Sequence, residues 1–400
     1  MKLEIELQKQ EWFWQEKAIV KCHVEGDRNT AYFHRITKVK NASKLISSLR
    51  IDDTLITNQD QISDHVVQYY KNLFCTNSVV LQDPLLVHEV IPSLVDDNVN
   101  TMLIMLPSHS EIKNAVFDLN KEVAPGPDGF GAFFFQTYWD IVSRDVFNAV
   151  IKFFTTSWLL PNFNANTFIF IPKTGSADTV DQYRPIALAN FKFKVISKVL
   201  ADRLSKIMPQ IISNEQRGFI QGRNIKDCIC LASEVANILH KKAFGGNLAL
   251  KIEISKAFDT LNWNFLLTIL ICFSFNEQFC KWIEVILNSA TLSISINGSQ
   301  HGYFHCNRGM RQGDPLSPLL FCLAEDVLRR SISKIVEYGK LELFKASRSV
   351  NIPSHSLYAD DIMVYCKGKQ SCLLALREVF TRYALASGQI INARKSTIFS

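Results

Sequence analysis

Two adjacent aspartates stand between apolar, β-prone residues in the stretch LYADDIMVY at 357–365. This pattern predicts a hairpin whose tip presents the carboxylates of Asp360 and Asp361. Like charges this close repel each other unless a cation neutralises them, so a divalent metal ion is the natural partner. A solvated Asp-Asp turn is the alternative, and these nine residues alone do not exclude it.

A further carboxylate of the same kind, Glu253, ends a stretch of strict alternation. Leu248, Leu250, Ile252 and Ile254 fall on one face of this stretch, and Ala249, Lys251 and Glu253 fall on the other. The alternation predicts a strand, from which Glu253 could reach across to a neighbouring hairpin. Carboxylates that hold two metal ions can activate a 3′-hydroxyl and stabilise a pyrophosphate leaving group. An ordinary exposed sheet residue is the alternative for Glu253.

Paired arginines mark a third segment, RGMRQGDPLSP at 308–318. Two glycines and two prolines around Arg308 and Arg311 predict a shaped basic loop. Guanidinium groups match phosphate oxygens, so this loop is expected to contact phosphate or a base pair. A further basic element joins Lys173 with Arg184 in QYRPI at 182–186.

The charge of the chain is distributed unevenly. Its 400 residues carry 44 Lys and Arg against 38 Asp and Glu, a formal net charge of +6. Residues 41–170 carry 7 basic and 14 acidic groups, whereas residues 171–400 carry 29 and 18. A basic C-terminal half favours a polyanionic ligand such as nucleic acid, although a solvated surface would have the same composition. No apolar run reaches the roughly 18 residues of a membrane span, so no membrane partner is expected.

Hydrophobic periodicity predicts mixed helices and strands, hence an α+β fold. We expect helices over 59–75 and 196–208, and a third that Ser110 caps and that ends before 124–129. A buried strand is expected over 167–171, and a hairpin turn at Asn297-Gly298. Residues 76–106 are less periodic and are expected to be rich in loops. No internal repeat or low-complexity linker is present.

The sequence resembles the reverse transcriptases of non-LTR (LINE-type) retrotransposons, particularly those of plants. The strings that carry the resemblance occur in the family's order over about 270 residues: APGPDGF at 124–130, FIPKTG at 170–175, QYRPIALAN at 182–190, QRGFIQGRNI at 216–225, SKAFDTLNW at 255–263, RQGDPLSPLLF at 311–321, YADD at 358–361 and SGQIINARKS at 387–396. The string EGDRNTAYFHR at 25–35 resembles the segment that precedes the polymerase in these elements.

The resemblance implies a right-hand polymerase with fingers and palm, preceded by a helical N-terminal extension. We expect the extension over 1–110 and the fingers and palm over 111–400, with the thumb missing. The implied cofactor is Mg²⁺. The implied partners are an RNA template, a DNA primer and deoxynucleoside triphosphates. Localisation is left open, because no clear basic import run accompanies the nuclear location that such elements imply.

The resemblance also implies roles for individual residues. Asp360 and Asp361 match the metal-binding carboxylates of the palm hairpin, and Glu253 stands where the family has the third. The residues expected to bind the nucleotide are Lys173 and Arg184 at the triphosphate, Phe258 at the ribose 2′-position, Gln312 in the nucleotide pocket and Lys395 near the leaving pyrophosphate.

One departure from the family bears on activity. The family has aspartate where this chain has Glu253, and the extra methylene moves the carboxylate oxygens outward by about 1.5 Å. A misplacement of about 1 Å can cost a catalytic site about 10²-fold in rate. Asp259 lies beyond the expected strand end and is not expected to substitute. We therefore expect weak or absent polymerisation with metal binding partly retained.

Two main hypotheses share this fold. The first is an RNA-directed DNA polymerase domain, and the second is a catalytically inactive relic that folds and binds nucleic acid only. Both predict nucleic-acid binding that weakens as salt rises. A metal-dependent phosphatase or nuclease is disfavoured, because the strings of the nucleotide pocket have no use there.

Overall fold

The computed structural model of the protein describes residues 45–75, 83–239, 246–346 and 351–400. The string EGDRNTAYFHR lies outside these ranges, as do residues 1–44 of the expected N-terminal extension. The described chain divides into two compact units. The first contains the described residues up to Val67 together with Ile169–Pro185 and Ile294–His301, and the second contains the remainder.

The helices of the described residues are mostly amphipathic. They are α1 (Gln59–Cys75), α2 (Pro84–Val90), α3 (Asp97–Ile104), α4 (His109–Asp118), α5 (Ala132–Thr137), α6 (Trp139–Thr156), α7 (Phe191–Ile211), α8 (Ile225–Leu239), α9 (Ala257–Thr260), α10 (Trp263–Cys272), α11 (Glu277–Asn288), α12 (Ser317–Glu337) and α13 (Gln370–Ser387). No helix among these is long and apolar enough to cross a lipid bilayer.

The strands of the described residues form three sheets. They are β1 (Leu49–Ile51), β2 (Thr54–Ile56), β3 (Ala165–Pro172), β4 (Tyr183–Ala189), β5 (Asn247–Glu253), β6 (Thr291–Ile296), β7 (Ser299–His305), β8 (His355–Tyr358), β9 (Asp361–Lys367) and β10 (Thr397–Phe399). The strand orders are β1-β2, β10-β5-β9-β8 and β4-β3-β6-β7. The second of these, hereafter the carboxylate sheet, is antiparallel at all three pairings. This mixture of helices and sheets confirms the expected α+β class.

Most of the expected elements are present. The strand over 248–254 and the hairpin at 357–365 correspond to β5 and to β8–β9. The turn between β6 and β7 has Asn297 and Gly298 at φ +52° and +89°, as a tight Asn-Gly hairpin requires. The third expected helix, α4, begins slightly earlier than predicted, because the hydroxyl of Ser108 rather than Ser110 accepts the Glu111 N–H.

The expectation of a loop-rich segment at 76–106 is wrong for its described part. Two helices, α2 and α3, lie there. The carboxylate of Asp83 accepts the Leu86 N–H and precedes Pro84, while that of Asp96 accepts the Val99 N–H. Because these helices are short, their caps rather than a long apolar stripe define them. Periodicity alone could not find them.

The core of the second unit is built around α12. Nearly all of its residues from Leu319 to Ile332 are buried. The helix packs against α13, α10, α7 and α2, and α8 packs on β5 and β8 of the carboxylate sheet. Helix α8 thus covers part of the carboxylate sheet, and Glu253 and Asp361 lie opposite each other where β5 ends and β9 begins.

Candidate active site

The two adjacent aspartates lie at a two-residue hairpin turn. Tyr358 of β8 pairs with Asp361 of β9, and Ala359 and Asp360 form the turn between them. Ala359 has a φ of +54°, a left-handed conformation that costs a non-glycine residue about 1–2 kcal/mol. The turn is therefore a strained feature that neighbouring groups must hold in place.

Three carboxylates converge at this end of the carboxylate sheet. Strand β5 pairs with β9 in a register that sets Glu253 directly opposite Asp361. Asp360 is half-buried, and burial, followed by the nearby charges of Asp361 and Glu253, raises the pKa of its carboxyl. The repulsion expected from the sequence is therefore present. Carboxylate oxygens are the ligands that Mg²⁺ prefers, so the chemistry of this donor set fits that ion.

Two lysines partly neutralise the same carboxylates. Lys395 Nζ lies 2.5 Å from Glu253 Oε1, and Lys251 Nζ lies 3.8 Å from Asp361 Oδ1. Within the described residues, no group of three or more His, Cys, Asp or Glu side chains is arranged closely enough to hold a metal ion. Lys395, expected beside the leaving pyrophosphate, is thus paired with Glu253.

Phe258 lies in an aromatic cluster shortly after β5, the strand that ends at Glu253. Its ring stacks on that of Phe321, with the centroids 4.2 Å apart, and meets the ring of Phe219 edge to face. Phe219 is 48% exposed and has a φ of +60°. Phe258 is itself only partly buried, so it is not a simple core residue. Asp259 next to it is buried on α9, away from the strand end.

The expectation of a phosphate-contacting loop is wrong for Arg311. This side chain is only 9% exposed, stacks over the Phe193 ring and donates to Asp314 Oδ2 at 3.1 Å and to Asn164 Oδ1. Arg311 therefore anchors the start of α12 from inside. Arg308 is half-buried and donates to the Leu73 carbonyl at 2.6 Å.

Gln312 remains at the surface of that loop. Its side chain is partly exposed. Its main-chain carbonyl accepts the Ala187 N–H at 2.9 Å. Gly313, next to it, has a φ of +111°, and a Cβ there would lie 2.9 Å from the Ala187 carbonyl oxygen. The glycine therefore allows the close approach that fixes Gln312 against β4.

Lys173 and Arg184 belong to the first unit, whereas the other expected site residues belong to the second. Both side chains are exposed. The Lys173 N–H donates to the Gln182 carbonyl at 2.8 Å, and Nζ donates to the Asp181 carbonyl at 2.7 Å. The two residues thus flank the loop that joins β3 to β4.

Two groups of polar residues support the site and were not singled out from the sequence. The first is Gln216, whose buried side chain contacts the Ala359 backbone. The second is a buried chain that joins Glu325, Tyr383 and Gln389 to the carbonyl of Ala257, beside Phe258. Both glutamines lie inside strings of the resemblance, but no local pattern assigns them a contact, because their partners are distant in the sequence.

The hydrogen bonds of the buried chain converge on the Tyr383 hydroxyl. Gln389 Nε2 donates to the Ala257 carbonyl at 2.8 Å, so Gln389 Oε1 faces Tyr383 and accepts from its hydroxyl. The same hydroxyl can donate to Glu325 Oε1 at 3.1 Å. Burial raises the pKa of Glu325 to about 8, which favours the neutral form of this carboxyl at pH 7.

Comparisons with known proteins identify the family of the chain. Residues 171–400 match the family described as reverse transcriptase (RNA-dependent DNA polymerase). The chain is 27% identical, over 93% of its length, to an uncharacterised 149 kDa protein of transposon TX1 from Xenopus laevis. It is 26% identical, over 57% of its length, to the Pol polyprotein of the type-2 retrotransposable element R2DM from Drosophila melanogaster.

The alignments cover 28% of the length of the Xenopus protein and 20% of the Drosophila one, so the chain corresponds to a part of each. The family match includes every expected site residue, from Lys173 to Lys395. The chain therefore belongs to the reverse transcriptase (RNA-dependent DNA polymerase) family, and its sequence is of the LINE type.

Proposed function

We propose that the chain is an RNA-directed DNA polymerase region that extends a DNA primer on an RNA template. The observation that carries this proposal is the convergence of Glu253, Asp360 and Asp361 at one strand end, where burial and then the charges of the other two carboxylates raise the pKa of Asp360. Bound Mg²⁺ ions would supply activation of the primer 3′-hydroxyl and neutralisation of the leaving pyrophosphate. The three carboxylates would hold these ions after moving closer together than they lie in the described structure.

The proposed nucleotide-binding residues each have a distinct task. Lys173 and Arg184 bind the triphosphate, since guanidinium and ammonium groups match phosphate oxygens. The stacked ring of Phe258 excludes a ribose 2′-hydroxyl. Gln312 lines the nucleotide pocket, and Lys395 lies near the leaving pyrophosphate. We further propose a division into an N-terminal extension over 1–110 and fingers and palm over 111–400.

Glu253 is proposed to impair this activity. Its carboxylate is one methylene longer than the family's aspartate and is paired with Lys395 at 2.5 Å. A cation must therefore displace the lysine, and it meets oxygens that are displaced by about 1.5 Å. The pairing of Glu253 with Lys395 also favours the alternative function, which is nucleic-acid binding without catalysis.

The test is primer extension on an RNA template in Mg²⁺. We expect Glu253→Asp to extend the primer about 10²-fold faster than the natural chain, because the shorter side chain restores the geometry and loosens the Lys395 pair. Asp360→Asn in the Glu253→Asp background is the matched control and should abolish the gain.

Two results would count against the proposal. Equal rates for the natural chain and Glu253→Asp would show that glutamate does not impair the site. Absence of extension by both proteins, with RNA–DNA duplex binding retained, would favour the non-catalytic alternative.

A further inference from the structure

The strained turn that carries Asp360 is held by a side chain from a distant segment. Gln216 is 1% exposed and lies behind the turn. Its Oε1 accepts the Ala359 N–H at 3.1 Å and the Gly218 N–H at 2.9 Å. Its Nε2 lies 3.5 Å from the Ala359 carbonyl oxygen and completes a clamp on the residue that precedes Asp360.

The segment that carries Gln216 is itself fixed to the hairpin strand. The Arg217 N–H donates to the Leu357 carbonyl at 2.8 Å, and the Leu357 N–H donates to the Glu215 carbonyl at 2.9 Å. Arg223 donates to the Gln216 carbonyl at 2.7 Å from the opposite side. The amide of Gln216 is therefore pre-positioned and loses little freedom when it binds the turn.

Gly218 allows the segment to come this close. A Cβ at this position would lie 2.5 Å from the Ala359 backbone nitrogen, well inside van der Waals contact. The glycine and the glutamine therefore act on the same atom: one makes room for the Ala359 N–H and the other accepts it.

We infer that Gln216 is a positioning residue, which holds Ala359 in its left-handed conformation and so directs the Asp360 carboxylate toward Glu253 and Asp361. The inference rests on the proposed function for its catalytic meaning. Its structural content, a clamp on the turn, can be measured separately. Without the clamp the Ala359 N–H would be buried and unpaired, and the turn would relax away from the left-handed conformation.

The first measurement is amide hydrogen exchange at Ala359, which needs no metal ion or substrate. Gln216→Met keeps the length of the side chain and removes both hydrogen-bonding atoms, so exchange at Ala359 should become about tenfold faster. Gln216→Glu keeps the acceptor oxygen and should retain the protection.

The matched control is Gln136→Met. Gln136 also clamps the main chain, donating to the carbonyls of Val116 and Leu119 at 2.9 and 2.8 Å. The Gln136→Met variant should have lower thermal stability and unchanged amide exchange at Ala359. If Gln216→Met does not fold, Gln216→Asn serves instead, because its oxygen is retracted by about 1.5 Å.

The second measurement is Mn²⁺ affinity, with Mn²⁺ alone as the probe. Gln216→Met should weaken it severalfold, and the Gln136→Met control should not. Unchanged exchange at Ala359 in Gln216→Met would overturn the clamp, and faster exchange with unchanged Mn²⁺ affinity would overturn its effect on the carboxylates. A natural chain that bound no Mn²⁺ would contradict the proposed metal site, while the exchange result would still decide the clamp.

Discussion

At the residue scale, four carboxylates near the turn differ chiefly in their surroundings. Asp361 is exposed, Asp360 is half-buried, and Glu253 is paired with Lys395. Glu325 is fully buried, and its Oε2 has no hydrogen-bond partner. An ionised carboxylate in that position is disfavoured by burial relative to the neutral acid.

This protonation state predicts a pH dependence of stability. The pKa of Glu325 is about 8 in the folded protein against 4.5 as the ordinary value. The unfolded chain therefore loses this proton at lower pH than the folded protein does, and the contribution of Glu325 to stability falls from about pH 5 to about pH 8. Glu325→Gln keeps an oxygen that can accept from Tyr383 and does not titrate. From about pH 5 to about pH 8, the free energy of unfolding of this variant should rise relative to that of the natural chain by an amount on the order of a few kcal/mol.

The measurement is urea unfolding of both proteins at several pH values. Gln136→Met provides a comparison, since it changes stability without changing the protonation of Glu325. A difference between the natural chain and Glu325→Gln that stays constant with pH would show that Glu325 is ionised in the folded protein.

At the element scale, the turn at 124–131 packs onto the junction between β4 and α7. The Asp128 N–H donates to Asn190 Oδ1 at 3.0 Å, and Asn190 Nδ2 donates to the Asn162 carbonyl at 3.1 Å. Gly126 lies against this junction, where a Cβ would be 2.4 Å from the Ala189 carbonyl carbon. Gly126 of APGPDGF therefore fits the turn to a backbone surface.

Gly126→Ala should destabilise the protein by about 1–3 kcal/mol, because the backbone it meets cannot move aside as a flexible side chain can. Gly175→Ala is the matched control, since a Cβ there meets nothing within 4 Å. The control should change the free energy of unfolding by less than about 0.5 kcal/mol. Denaturant unfolding measures both, and equal stabilities of the two variants would refute the close approach.

At the scale of the whole molecule, the basic residues from 171 onward coincide with the reverse transcriptase match. Some of these charges are internal, since Arg311, Arg203 and Arg329 are buried in ion pairs or hydrogen bonds. Other Lys and Arg side chains, such as those of Arg184 and Lys173, are exposed. The net charge therefore overstates the basic surface.

Binding to an RNA–DNA duplex should still weaken as salt rises, by about tenfold or more between about 50 and 200 mM. Fluorescence anisotropy at several salt concentrations measures this slope. A duplex with an uncharged methylphosphonate backbone is the control and should show little salt dependence. A flat salt profile with the natural duplex would contradict binding through a basic face.

The sequence by itself determined several of the elements and the family. Period-two alternation identified β5, the YADD stretch identified the hairpin, and the ordered strings identified a reverse transcriptase whose expected site residues all fall within the matched region. These features are short patterns or depend only on the order of strings along the sequence. They can therefore be identified without knowing which residues meet in the fold.

Only the tertiary structure decided which side chains meet and which way they face. Arg311 looked like a phosphate ligand, but it pairs with Asp314 inside the protein, because a loop sequence does not tell which face is buried. Gln216 and Ala359 are 143 residues apart, and so the clamp on the turn could not be read from either string. The same applies to the pair between Lys395 and Glu253, 142 residues apart. Burial and long-range pairing are properties of the folded chain, and they determine the charge and orientation of each group at this site.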